Sequence, residues 1–197
     1  MIEKAILFKK AFQQLAPFSE EEWIATKSCI KERTFKKGEM LCDFGQTERY
    51  LSIIFKGICR GFYSKNGEEF SVAFMFPNDY VSAYYSFLTQ RPSLMAIEAL
   101  SPVTVVSISE IDLENLCDQY KSAERIGRLN AERIYRRKEE REIALLTMSA
   151  TERYIDLQNR SPKLLQQIPL KYIASYLGIQ PESLSRIRKQ LAKSVIT

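Results

Sequence analysis

Residues 170–191, LKYIASYLGIQPESLSRIRKQL, constrain this chain more than any other stretch. Counted from Leu170, a small residue stands fifth (Ala174), glycine ninth (Gly178), and apolar residues fifteenth (Leu184) and eighteenth (Ile187). Ile173 and Leu177 are four apart and share a helix face, and Ala174 between them lets a second helix approach. Gly178 tolerates the left-handed backbone that a sharp turn after a helix needs. Pro169 suits the first turn of one helix and Pro181 opens the next, on which Leu184, Ile187 and Leu191 make a buried stripe. This is the spacing of a helix-turn-helix, whose second helix is presented to a major groove. The bland alternative is an accidental pair of core helices.

Around that stripe lie the expected DNA-binding residues: Gln180, Glu182, Ser183, Ser185, Arg186, Arg188 and Lys189. Glutamate accepts from a cytosine amino group, and arginine makes a bidentate contact to guanine O6 and N7. Glu182 and Arg186 are four apart, face the same way, and suit neighbouring base pairs; an intrahelical salt bridge is the competing reading. Lys189 and Lys193 suit phosphate contacts, and Lys171 and Tyr172 lie where the first helix meets the backbone.

The charge distribution agrees. Residues 1–120 carry a net −3 and residues 121–197 a net +8, so the rear of the chain suits a polyanion, unless its cations only decorate solvated helices. There is no histidine. That removes Ser-His-Asp and Cys-His triads, the histidine general base, His-ligated haem, and the His-rich metal site of a cupin-type enzyme. Cys29, Cys42, Cys59 and Cys117 are 13, 17 and 58 residues apart. They form no C-x-x-C pair and read as thiols of a reducing cytosol rather than as cluster or zinc ligands. No apolar run spans a bilayer, and MIEKAILFKKAFQQL lacks the core of a secretory signal. The expectation is a cytoplasmic protein with no catalytic, metal or cofactor residues, no membrane partner and no enzyme activity.

Upstream, Phe8, Phe12 and Leu15 line a first helix that Pro17 interrupts, and Ser19 with Glu22 forms a capping box opening a helix that carries Trp23, Ile24 and Ile30. From Arg33 to Ile108, turn signals separate short runs rich in β-branched and aromatic residues: YLSIIF, ICRGFY, FSVAFMF, LMAIEAL and VTVVSI. Short strands with frequent turns predict an antiparallel roll or barrel. Asn66-Gly67 predicts a type I′ hairpin turn, and YVSAYYSFL a short helix across the roll. Ser109 caps the next helix, which runs to about Thr147 with only Gly127 against it. Its apolar residues Ala123, Ile126, Leu129, Ile134 and Leu145 form either a dimer seam or a face packed on the same chain. Ser149 and Glu152 make another capping box, and Ser161-Pro162 ends that helix.

The Gly38-Glu39, Gly45 and Gly57 turns, the long connecting helix and the terminal PESLSRIRKQL together resemble the Crp/Fnr superfamily, over essentially the whole chain. The resemblance implies an α+β fold: an N-terminal antiparallel, jelly-roll-like β-roll of the cyclic-nucleotide-binding type (1–115), a connecting and dimerisation helix (116–147) and a C-terminal winged helix-turn-helix (148–197). It implies a homodimer acting on palindromic double-stranded DNA with RNA polymerase, and it places the family's Glu-x-x-x-Arg base readers on Glu182 and Arg186. Members that bind cyclic AMP carry Gly-Glu-x-x-Gly-Glu, then an arginine before Ser/Thr-Ala. This chain has Asn78-Asp79-Tyr80-Val81-Ser82-Ala83 and Arg91-Pro92-Ser93-Leu94. Ala83 replaces the second glutamate and Pro92 stands at the arginine, so charge-assisted phosphate binding is lost. No cyclic AMP site is expected; an unknown small-molecule effector would meet Asp79, Ala83, Arg91 and Ser93. Only Ala192–Thr197 follow the recognition helix, so any wing strands must precede residue 170. The reading from a different class is a small-molecule sensor working through protein partners, with the helix-turn-helix as a packing module.

Overall fold

The computed structural model describes residues 2–194. In chain order its elements are α1 (Ile2–Gln13), α2 (Glu20–Cys29), β1 (Ile30–Phe35), β2 (Met40–Cys42), β3 (Tyr50–Lys56), β4 (Cys59–Lys65), β5 (Glu68–Met75), β6 (Tyr80–Val81), α3 (Tyr84–Thr89), β7 (Ala96–Ala99) and β8 (Val103–Ser109), then α4 (Glu110–Gln119), α5 (Lys121–Thr147), α6 (Ala150–Arg160), α7 (Pro162–Gln167), α8 (Leu170–Leu177) and α9 (Pro181–Ser194). They form two compact units. The first holds residues up to Phe62 with Phe74–Ile134; the second holds Tyr63–Ala73 with the chain from Tyr135 onward.

Two four-stranded antiparallel sheets make the roll, in the orders β1-β8-β3-β6 and β2-β7-β4-β5. The β-branched texture of YLSIIFK and VTVVSIS places them as the central pair of the first sheet, with Ile53, Ile54, Val105 and Ile108 wholly buried. Ser52 and Ser107 face each other in that pair, buried, and their hydroxyls bond each other at 2.7 Å. Each therefore satisfies the other's polar group in an apolar layer. Phe8 and Phe12 of α1, stacked at 4.4 Å, and Trp23 of α2 cover Leu51, Ile53, Val106 and Ile108. The Asn66-Gly67 turn has positive φ at both residues, 54° and 81°, as a type I′ hairpin requires. Both capping boxes form: the Ser19 amide donates to Glu22 Oε2 at 2.5 Å and the Ser149 amide to Glu152 Oε2 at 2.7 Å, with the reciprocal serine bonds present. Ser109 caps α4 by accepting from the Asp112 amide.

Two expectations are corrected, and two that were left open are narrowed. Ile30 does not continue α2; it opens β1, paired with Ile108, because burial against β8 outweighs helical periodicity. The helix after Ser109 is broken at Tyr120, an extended residue, and not at Gly127, which lies inside α5. Of the proposed seam, Ile126 is buried in the first unit's core with Ala123 and Leu129 packed against that core, so the same-chain reading holds for these three. The exposed apolar residues of α5 are instead Tyr135, Ile143 and Leu146. Lastly, the segment left for a wing before residue 170 is helical: Pro162 sits at the first turn of α7. Among the described residues no strand follows β8; residues 195–197, part of the tail expected to be too short for a wing, lie outside them. No helix among the described residues is long and apolar enough to cross a membrane.

Candidate nucleic-acid interface

The second unit is built around α8 and α9. Ile173, Ala174 and Leu177 of α8 and Leu184 and Ile187 of α9 are buried, with Tyr154 and Leu157 of α6 and Leu164 of α7. Ala174 has no exposed surface, which is why that position admits only a small side chain. The turn after α8 is a complete Schellman motif: the Ile179 amide donates to the Ala174 carbonyl at 3.0 Å and the Gly178 amide to the Ser175 carbonyl at 3.1 Å. Gly178 takes φ +68°, so the backbone conformation calls for glycine, and a Cβ there would stand 3.3 Å from the tip of Leu145. The carbonyls that a helix end leaves unpaired are taken up by arginines. Arg153 Nε donates to Leu177 O at 2.9 Å and Arg141 Nη2 to Tyr176 O at 3.1 Å, placing two cations at the negative end of α8.

This turn sets α9 with its stripe inward. At about 3.6 residues per turn, Glu182, Ser185, Arg186, Lys189 and Lys193 share the face opposite Leu184, Ile187 and Leu191, and all five are exposed. Arg188 and the half-buried Ser183 flank that face rather than lie on it, and exposed Gln180 precedes the helix. Among the described residues no ion pair joins Glu182 to Arg186, so the salt-bridge alternative is not what the structure adopts. Lys171 is exposed near the start of α8, its ammonium 4.7 Å from the Tyr172 ring centre.

The four effector candidates lie in the first unit and are tied into local hydrogen bonds. Asp79 Oδ2 accepts from the Phe76 amide at 2.9 Å, holding a turn. Arg91 is exposed, and its carbonyl accepts from the Ser86 hydroxyl at 2.5 Å. Buried Ser93 donates to Met95 O at 2.7 Å. Ala83 leads to a buried carboxyl: its amide donates to Glu48 Oε2 at 3.3 Å, while Glu48 Oε1 accepts from the Tyr50 amide at 3.0 Å. Glu48 is only 5% exposed. Burial pushes its carboxyl above the ordinary carboxylate range against the pull of those bonds, and burial with the nearby Glu48 charge raises the Cys42 thiol to about 12. Sequence reasoning passed over Glu48, because Thr47-Glu48-Arg49 carries the polar texture of a surface loop.

Part of the chain is similar to a described family. Residues 32–120 match the family described as "Cyclic nucleotide-binding domain", less than half of the chain. No curated protein matches by sequence. Among solved structures, FixK2 from Bradyrhizobium japonicum superposes with a TM-score of 0.70 at 20% identity, over 85% of this chain and 86% of that one. The catabolite activator protein of Thermus thermophilus gives 0.57 at 20% identity, over 91% and 86%. The c-di-GMP-responsive global regulator CLP of Xanthomonas campestris gives 0.65 at 13% identity, over 89% and 93%. The chain thus contains a cyclic-nucleotide-binding-type roll and shares the fold of these three solved structures along most of its length.

Proposed function

We propose that this chain is a sequence-specific transcription regulator of the Crp/Fnr kind: a cytoplasmic, non-enzymatic homodimer that reads a palindromic double-stranded operator and works there with RNA polymerase. Residues 1–115 serve as the effector domain, 116–147 as the connecting and dimerisation helix, and 148–197 as the DNA-reading domain. One observation carries the reading. The face of α9 opposite its buried stripe is exposed and bears Glu182, Ser185, Arg186, Lys189 and Lys193. A packing module has no use for such a face, whereas a major groove offers acceptors to Arg186, a donor to Glu182 and phosphates to the lysines. Selecting duplexes from a random pool and titrating them by fluorescence anisotropy tests it. Arg186→Ala should cost about 1–3 kcal/mol on the selected duplex and relax discrimination at one base pair. A variant that binds selected and random duplexes as the parent does would sink the assignment. Affinity should also fall steeply with salt, because much of it comes from displaced counterions.

The exposed Tyr135, Ile143 and Leu146 lie on one side of α5 and supply the dimer contact in this reading; sedimentation equilibrium should return twice the monomer mass. The roll does not answer to cyclic AMP. The Ala83 amide is already engaged by the Glu48 carboxyl, and Pro92 stands where the family's cyclic AMP binders carry the phosphate-pairing arginine. An effector of another chemistry would act at the Asp79–Ser93 segment. Titration calorimetry with cyclic AMP should register no binding heat.

A further inference from the structure

Strand β5 is the last strand of its sheet, with β4 on one side only. Along an antiparallel strand, alternate residues turn their N–H and C=O to the same edge, so Glu69 and Ser71 present theirs together. An unpaired edge of this kind recruits whatever can complete it. Here, within the second unit, the partners are side chains of the helices. Ser175 of α8 accepts from the Ser71 amide at 2.9 Å, and its hydroxyl donates to the Glu69 carbonyl at 2.9 Å. One hydroxyl thus does what the amide and carbonyl of a neighbouring strand residue would do. The next edge group, the Ser71 carbonyl, accepts from Arg141 Nη2 at 3.3 Å. The same nitrogen donates to Tyr176 O at 3.1 Å, and the guanidinium lies 5.0 Å from the Tyr176 ring centre. Ser71 is buried, with 1% exposure, so water does not cheaply replace the bonds to its own amide and carbonyl.

We propose that Ser175 and Arg141 are positioning residues for DNA reading: they seat α8 on the edge of the β4–β5 hairpin, and the Schellman turn at Gly178 passes that placement to α9. The inference rests on the DNA-binding role of α9 proposed above. Both residues lie outside the α9 face that meets the bases, and α8 and α9 share the buried Ala174, Leu177, Leu184 and Ile187. Loss of the seat leaves the helix-turn-helix folded and its basic charge unchanged, but removes the hydrogen bonds that fix its orientation.

Three readouts on the full chain test this: hydrogen exchange of the Ser71 amide, affinity for the selected duplex, and affinity for a random duplex at low salt. Ser175→Ala should speed Ser71 exchange at least about tenfold and weaken the selected duplex about tenfold, roughly 1.4 kcal/mol, while the random duplex is held as before. Ser175→Thr, which keeps the hydroxyl, should restore both, and Arg141→Ala should reproduce the loss. Unchanged exchange at Ser71, or unchanged or tighter binding of the selected duplex by Ser175→Ala, would overturn the inference. If the parent itself prefers no duplex, the DNA-reading assignment fails instead, and the Ser71 exchange still decides whether the seat exists.

Discussion

Gly57, in the turn between β3 and β4, gives the most demanding stability test of the roll. Its backbone takes φ +97°. A Cβ added there would lie 2.4 Å from the Pro102 carbonyl oxygen, 2.8 Å from Val103 Cγ2 and 2.9 Å from Val103 Cα. Two of those atoms are backbone, and Val103 is held as the first residue of β8, buried and paired with Phe35. The neighbours therefore cannot give way as the tip of a flexible side chain would. Gly57→Ala carries a left-handed backbone penalty of about 1–2 kcal/mol and an overpacking cost of about 1–3 kcal/mol. Gly38 is the matched control: its φ is +86°, yet nothing lies within 4 Å of the equivalent Cβ. Gly38→Ala bears only the backbone term, so the difference between the two variants, about 1–3 kcal/mol, isolates the clash. Trp23 is the only tryptophan of the chain and sits in the first unit's core. Its fluorescence during urea unfolding therefore reports on the roll, and the midpoint should shift at constant slope. Equal losses for Gly57→Ala and Gly38→Ala would refute the packing argument.

Leu184 is wholly buried between α8 and α9, and Leu184→Ala should cost about 2–5 kcal/mol; hydrogen exchange should quicken in α8 and α9, and an unchanged second unit would count against the core described. Two carboxyls should titrate in opposite directions by carbon-detected NMR. Glu22 is held below the ordinary range by the Ser122 hydroxyl and then by the Ser19 amide of its capping box, so its stabilising contribution is complete above the ordinary carboxylate pKa and is lost as pH falls through the lowered value. Glu48 is raised by burial, so the folded state holds its proton more tightly, and stability falls as pH rises from the ordinary value through the raised one. A Glu48 resonance titrating at or below that of Glu22 would contradict the burial of its loop.

The expectations that held concern interactions confined to a few consecutive residues. A capping box needs a serine and a glutamate three apart, and both Ser19–Glu22 and Ser149–Glu152 formed as written. The Asn66-Gly67 hairpin and the Gly178 turn follow from backbone angles that few residues tolerate. The stripe of α9 follows from helical spacing alone. Where the reading fell short, two answers were locally acceptable. The apolar residues Ala123, Ile126 and Leu129 suit a partner chain as well as the chain's own core, and spacing does not distinguish them. Ile30 fits a helix face until β8 offers it Ile108.

The α8–turn–α9 geometry was therefore legible in the sequence on its own: Ala174, Gly178, Pro181 and the Leu184–Ile187 spacing each answer to backbone geometry or to contact between neighbouring turns. Tertiary structure decided which polar groups leave water. Glu48 is separated by 35 residues from the Ala83 amide it accepts from, and Ser175 by 104 from the Ser71 amide it completes. No local pattern encodes such pairs. Their energy comes from removing an amide and its partner from solvent together, and only the folded chain determines which distant groups are buried side by side.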